Sequence, residues 1–296
     1  MLHLRPLIAT LRSNLQKCAD DPALDPVHDL RTGTRRVQAL VEALLREQSD
    51  AALQQAADRW LRLLKKLRRA AAPVRDLDVH RKLLHSLLQQ PASPALDAGI
   101  ARQAHTLDAW LHHARQHHAA RLKKKAARWM KKFDEEAASF LAACIHSAQT
   151  RRRPQNTAAL ALEAFAQLTE QMPHLHAENL HDFRKGAKKC RYLAESAEED
   201  AQAQMTAKAL RKLQDEIGTW HDWLVLAEEA QSALDGEGHE LQRWLEEQRD
   251  RHFLQAMKAV QRLRGKLLGE YLAMAHQKKR ASRRPGCPVG EAGQGM

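Results

Sequence analysis

The chain has 296 residues and carries 48 Lys and Arg against 36 Asp and Glu, a formal net charge of +12 with a pI near 9.8. A hydrophobic content of 44% suffices for a real core and excludes a disordered chain, and no segment has the apolar length of a transmembrane helix. The surplus of positive charge points to a polyanionic partner.

Length alone suits two domains or one large one. Only ten Pro and twelve Gly occur, and the good helix formers Ala, Leu, Arg, Lys, Gln and Glu dominate the rest. No stretch alternates apolar and polar residues with β-branched character over strand length, so the fold class is all-α. Punctuation predicts about ten helices. The first covers 2–19. Asp25 and Pro26 open the second, the Asp as N-cap and the Pro in the first turn, where its missing N–H costs nothing; it runs to about 47. A third spans 50–72, Pro73 forces a break, and a fourth covers 75–89 before the PASP loop at 91–94. A long helical stretch fills 95–149, and RRRPQNT at 151–157 marks a boundary. Helices then follow at 157–172 (closed by Pro173), 179–198, 202–217 and 220–234. The DGEG turn at 235–238 precedes a last helix, 239–275, and residues 276–296 read as a basic, disordered tail.

The chain repeats itself. Residues 27–40, VHDLRTGTRRVQAL, match residues 180–193, LHDFRKGAKKCRYL, at an offset of 153. His28, Asp29, Arg31 and Gly33 meet His181, Asp182, Arg184 and Gly186, and Arg35–Arg36 meets Lys188–Lys189. A second echo pairs LKKL (64–67) and VRDLDV (74–79) with LRKL (210–213) and WHDWLV (220–225), now at an offset of 146. The change of seven residues is about two helical turns, so the faces stay aligned. Two similar half-structures are expected, each with the same basic, His-led helix.

On the first copy Leu30, Thr34, Val37, Val41 and Leu44 form a core stripe. His28, Arg31 and Arg35 lie on another face, within an arc of roughly 60°. His181, Arg184, Lys188 and Arg191 repeat that ridge. Like charges at this spacing repel one another, and an anion lying along the ridge removes the penalty. Arg offers a planar fork to phosphate oxygens and Lys a mobile point charge, so the mixture suits repeated phosphates. Lys65–Lys66 and Arg211–Lys212, at matching helix ends, and Arg75 and His221, each before an Asp, are placed to complete the surface. Arg121, Lys124, Lys125, Arg128, Lys131 and Lys132 share one side of the long helix and read as a solvated face.

Other chemistry is weakly signalled. Cys18, Cys144, Cys190 and Cys287 lack zinc-finger or C-x-x-C spacing and read as reduced thiols of a cytoplasmic protein. His113 and His117 stand i, i+4, yet no carboxylate or Cys joins them or His112 and His118, so no metal site is expected. Trp60, Trp129, Trp220 and Trp223 read as packing residues. No phosphate loop, nucleophile elbow or catalytic carboxylate pair is visible, which predicts a non-enzyme without cofactor. Nucleic-acid binding is an alternative, since a phosphate-lined groove tolerates other polyanions, but aromatics are only 4% and no stacking platform appears. A histidine phosphotransfer protein is a weaker one, because its Gly follows the His by four residues and here Gly33 and Gly186 follow by five.

The paired motif and its echoes resemble the CHAD domain, the conserved-histidine α-helical domain, over about 1–275. The resemblance implies one domain of two helical bundles, 1–150 and 151–275, of about five helices each. A pseudo-twofold axis relates them, and their basic helices line a central groove or pore. It implies binding of inorganic polyphosphate, with some members on polyphosphate granules, and no membrane partner. The family's His-x-x-Arg-x-x-x-Arg/Lys-Arg/Lys pattern falls on His28, Arg31, Arg35 and Arg36, and on His181, Arg184, Lys188 and Lys189. Lys185 lies inside the second copy, which ends on Arg191–Tyr192. Gln38 and Ala39 stand in the corresponding places of the first copy, so that half is expected to have fewer donors. The repeat leaves no room for the triphosphate-tunnel catalytic domain to which such modules are often fused.

Overall fold

Among the described residues every element of the computed structural model is an α-helix. Described are residues 4–46, 50–88, 98–147, 157–195, 200–234 and 239–282. In chain order they form α1 (Leu4–Asp20), α2 (Leu24–Arg46), α3 (Ala51–Leu88), α4 (Ala98–Ser147), α5 (Thr157–Gln171), α6 (Ala177–Glu195), α7 (Ala201–Leu234) and α8 (His239–Ser282). The PASP and DGEG segments, residues 151–156 and the tail beyond 282 lie outside the described residues. The part of the expected tail up to Ser282 is helical instead, as the end of α8. Among the described residues no helix is long and apolar enough to cross a membrane.

Two of the predicted breaks do not occur. α3 runs through Pro73 and α7 through Gly218–Thr219, so among the described residues eight helices stand where about ten are expected. A proline inside a helix costs roughly 3 kcal/mol. Flanking it, Val74 is fully buried and Leu77 nearly so, and burial of such side chains stabilises by about 1.5–3 kcal/mol each. Packing therefore carries the helix across the proline. Both long helices are capped alike: Asp50 Oδ1 accepts from the amides of Ala52 and Leu53 at 2.8 and 3.2 Å, and Asp200 Oδ1 accepts from those of Gln202 and Ala203 at 2.9 and 3.1 Å. Each cap satisfies two amides that the first turn leaves open.

Within each set of four helices the same neighbours pack: α1 on α2 and α4, α2 on α3, α3 on α4, and likewise α5 on α6 and α8, α6 on α7, α7 on α8. One core gathers Leu15, Leu30, Trp60, Phe133 and Phe140, and another Phe165, Phe183, Leu213, Trp220 and Val260. The core stripe of α2 is as expected, with Leu30, Thr34, Val37 and Val41 fully buried and Leu44 packed against them. A third core joins the sets: Leu77 and Leu84 of α3, Leu107 and Leu111 of α4, Trp223 and Leu226 of α7, and Leu241 and Leu245 of α8. Above this junction α2 packs against α6 and α3 against α7, which brings the two His-led helices together.

The motif glycines serve packing. A Cβ at Gly33 would stand 3.0 Å from Leu11 Cδ1 of α1, and one at Gly186 would collide with Leu168 of α5. Each glycine thus lets its helix close on the neighbour. Cys18, Cys144 and Cys190 are buried, and burial pushes the Cys18 thiol up to about 12, as befits small apolar side chains.

Candidate anion-binding cavity

α2, α3, α6 and α7 enclose a cavity of about 900 Å³. His28, Arg31, Arg35, Lys65 and Arg75 line it from the first four helices, and His181, Arg184, Lys185, Lys188, Lys189, Tyr192 and His221 from the second four. The two motif copies, 153 residues apart, therefore share one space. Among the described residues, six arginines and four lysines on its wall face four carboxylates, those of Glu42, Asp76, Asp215 and Asp222.

Positions within the wall repeat. Arg31 Nη1 donates to Ala72 O at 2.8 Å and to Asp76 Oδ1 at 3.0 Å. Arg184 Nε donates to Gln214 O at 3.2 Å, and its guanidinium lies across Gly218, where a Cβ would meet Nη2 at 2.6 Å. Gly218 corresponds to Ala72 at the offset of 146. Asp222, the equivalent of Asp76, is the acid that acts most strongly on Arg184. The His181 and His221 rings stand 4.2 Å apart, and in the first copy Arg75 is the charge acting most strongly on His28.

The electrostatics fit a cavity crowded with one sign of charge. Burial, and then Arg184, Arg35, Arg31 and Arg191, push the Lys188 ammonium down to about 6. Burial followed by His181 and Arg184 pushes His221 to about 4. His28 and His181 are lowered too, first by burial and then by Arg75 and Lys185 respectively. In each case the charged form is disfavoured by lost water and by cations nearby. Nδ1 of both His181 and His221 is buried without a hydrogen-bond partner in the protein, a cost of about 1–3 kcal/mol per group that a ligand could remove.

Five predicted residues do not line the cavity. Arg36 and Lys66 sit one position past Arg35 and Lys65, a turn of 100° around the helix, and are exposed; Lys66 faces a second cavity. Arg191 lies over the Tyr192 ring at 4.6 Å, with Nε 3.5 Å from Glu195. Arg211 is drawn to the same carboxylate at 2.7 Å, and Lys212 is exposed beside it.

Two cations were not foreseen. Arg68 and Arg69 of α3 line the wall, and Arg68 Nη1 donates to Gln38 Oε1 at 2.6 Å. At the two offsets Gln38 and Arg68 correspond to Arg191 and Gln214, so the copies carry the same residue pair with its members exchanged between helices. Aligning α3 with α7 does not reveal them, since Gln214 and Asp215 stand at their positions. On the cavity wall Arg68 and Arg69 correct the expectation that the first half has fewer donors. His80 of α3 also lines the wall and pairs through Nδ1 with Glu229 Oε2 of α7 at 2.7 Å. Among the described residues no group of three or more His, Cys, Asp or Glu is placed to hold a metal ion.

A basic cavity between two His-led helices in an all-α frame defines the class. The CHAD domain family model matches residues 3–231, and the chain belongs to that family. Among solved structures it is similar to PptA from Streptomyces chartreusis, with a TM-score of 0.57 and 17% identity, covering 87% of this chain and 97% of that one. It is also similar to the CHAD domain from the plant Ricinus communis, with a TM-score of 0.51 and 20% identity, covering 96% of this chain and 86% of that one. At these identities the likeness is one of fold. Among curated proteins none matches the sequence.

Proposed function

We propose that this protein binds inorganic polyphosphate in the cavity between α2, α3, α6 and α7. Membership of the CHAD family is consistent with a polyphosphate-related role. The observation that carries the reading is the placement of Arg31 and Arg184 on one wall with eight further Lys and Arg. Burial, and then the arginines crowded on this wall, push Lys188 down to about 6. Such a wall favours a flexible chain of closely spaced phosphates, which can follow both ridges at once. Arginine forks orient the phosphate oxygens, lysines add movable charge, and the histidines donate from neutral or protonated rings.

In this reading residues 1–275 act as one module whose halves, 1–150 and 151–275, are related by a pseudo-twofold axis through the cavity. The module holds its ligand without catalysis, in the cytoplasm and on polyphosphate granules. Long-chain polyphosphate and duplex DNA, competed at matched phosphate and one salt concentration, test the ligand class. Polyphosphate should win. Its affinity should fall steeply with salt, by analogy with counterion release from nucleic acids. Equal or tighter binding of DNA would sink the proposal.

A further inference from the structure

Arg62, Lys65, Lys66 and Arg69 of α3 are all exposed and stand at i, i+3, i+4 and i+7. That spacing gathers them into one ridge about 10 Å long. Lys65 and Arg69 face the central cavity. Arg62 and Lys66 face a second cavity, of about 210 Å³, between α3 and α4, whose other walls include Trp129 and Lys132. The ridge is thus the shared lip of two basic hollows.

The smaller hollow has surplus charge of its own. Its carboxylate, Glu136, is taken by Arg59 Nε at 3.2 Å. Arg62, Lys66 and Lys132 have no acid within ion-pair distance among the described residues. Three cations around one hollow repel one another, and an anion seated among them removes that cost.

The second half lacks such a path. At the offset of 146 the ridge positions become Lys208, Arg211, Lys212 and Asp215. Arg211 is held by Glu195 at 2.7 Å, and Asp215 puts a carboxylate on the cavity wall where the first half has Arg69. A polyanion leaving the cavity meets repulsion on the α7 side and a continuous basic lip on the α3 side.

We propose that a long polyphosphate chain leaves the central cavity over the α3 ridge and seats its emerging stretch in the α3/α4 hollow, at Arg62, Lys66 and Lys132. The hollow is a second phosphate subsite, filled only by chains long enough to reach it. This rests on the ligand class proposed above and adds the exit direction and the dependence on chain length. A tethered second contact acts at high effective concentration, so it strengthens long chains without touching short ones.

The test compares tripolyphosphate with long-chain polyphosphate on three proteins: the unaltered chain, Arg62→Gln/Lys66→Gln/Lys132→Gln, and a control, Lys82→Gln/Arg102→Gln/Lys258→Gln. The control removes the same charge from exposed positions outside both hollows. The first triple variant should lose about tenfold or more in long-chain affinity and flatten the salt slope by about 2–3. Its tripolyphosphate affinity should stay unchanged, and the control should lose clearly less on long chains. Long-chain affinity equal in the two variants would overturn the subsite, as would an equal loss for tripolyphosphate. If the unaltered chain bound neither ligand, the polyphosphate reading itself would fall.

Discussion

Arg31 and Arg184 hold matching places in two copies of one motif, and each reaches the backbone of the long helix that follows it. Arg31 Nη1 lies 2.8 Å from Ala72 O, one residue before Pro73. Arg184 Nε lies 3.2 Å from Gln214 O, one turn before Gly218. A guanidinium tethered to a carbonyl retains several N–H donors. Its orientation is already set, so little rotamer entropy remains to be lost when an anion arrives.

Gly218 should therefore be needed for ligand rather than for fold. An alanine Cβ there would meet Arg184 Nη2 at 2.6 Å, while alanine in a helix is favoured over glycine by about 1 kcal/mol. Gly218→Ala should fold normally and lose about tenfold in polyphosphate affinity, the equivalent of about 1.4 kcal/mol. Gly186→Ala, pressed into Leu168, should instead lower thermal stability. Denaturation and titration of both variants separate the two roles, and undiminished binding by Gly218→Ala would show that Arg184 reorients freely.

Lys188 should act on stability and binding in opposite directions. Its ammonium is pushed from 10.5 down to about 6, so between those values the unfolded chain holds the extra proton and stability rises with pH. Lys188→Met removes that cost at neutral pH. The melting temperature should rise, by about 2–4 °C for each kcal/mol recovered, while affinity for polyphosphate falls. A variant that melts lower and binds as before would contradict the placement of the amine in the binding wall.

The pH dependence of binding follows from the same shifts. His28, His181, His221 and Lys188 are all lowered in the free protein, and a bound polyanion raises each by favouring its charged form. Binding should take up protons, and affinity should increase as pH falls from about 8 towards 6. Titration in buffers of different ionisation enthalpy reads the uptake directly. His28→Gln with His181→Gln should reduce it, and an unchanged uptake would assign the histidines to helix packing alone.

Much of this was legible in the sequence because the repeat states it twice. The all-α class, the core stripe from Leu30 to Val41 and the motif ridges follow from residue spacing. What failed were decisions that depend on a partner helix. Pro73 and Gly218–Thr219 read as breaks, but burial of Val74 and Leu77, and of Ile217 and Trp220, makes them parts of continuous helices. Arg36 and Lys66 follow the wall residues Arg35 and Lys65, and a rotation of 100° per residue carries each off the wall, while Lys212 follows Arg211, which is itself off the wall. Arg191 and Arg211 depend on Glu195, a carboxylate outside either motif. Arg68 was invisible to motif matching because its counterpart is a glutamine, and only the exchange with Gln38 discloses it.

The central claim is that both motif copies hold one ligand, and a double-mutant cycle tests it most directly. Long-chain polyphosphate would be titrated calorimetrically into the unaltered protein, Arg31→Ala, Arg184→Ala and the double variant, with circular dichroism to verify folding. The account predicts one cavity occupied per protein, a loss on the order of 1–3 kcal/mol for each single change, and a double loss that departs from their sum, as expected for residues acting on a shared ligand. Two independent binding events per protein, with strictly additive losses or with one arginine silent, would contradict a shared cavity.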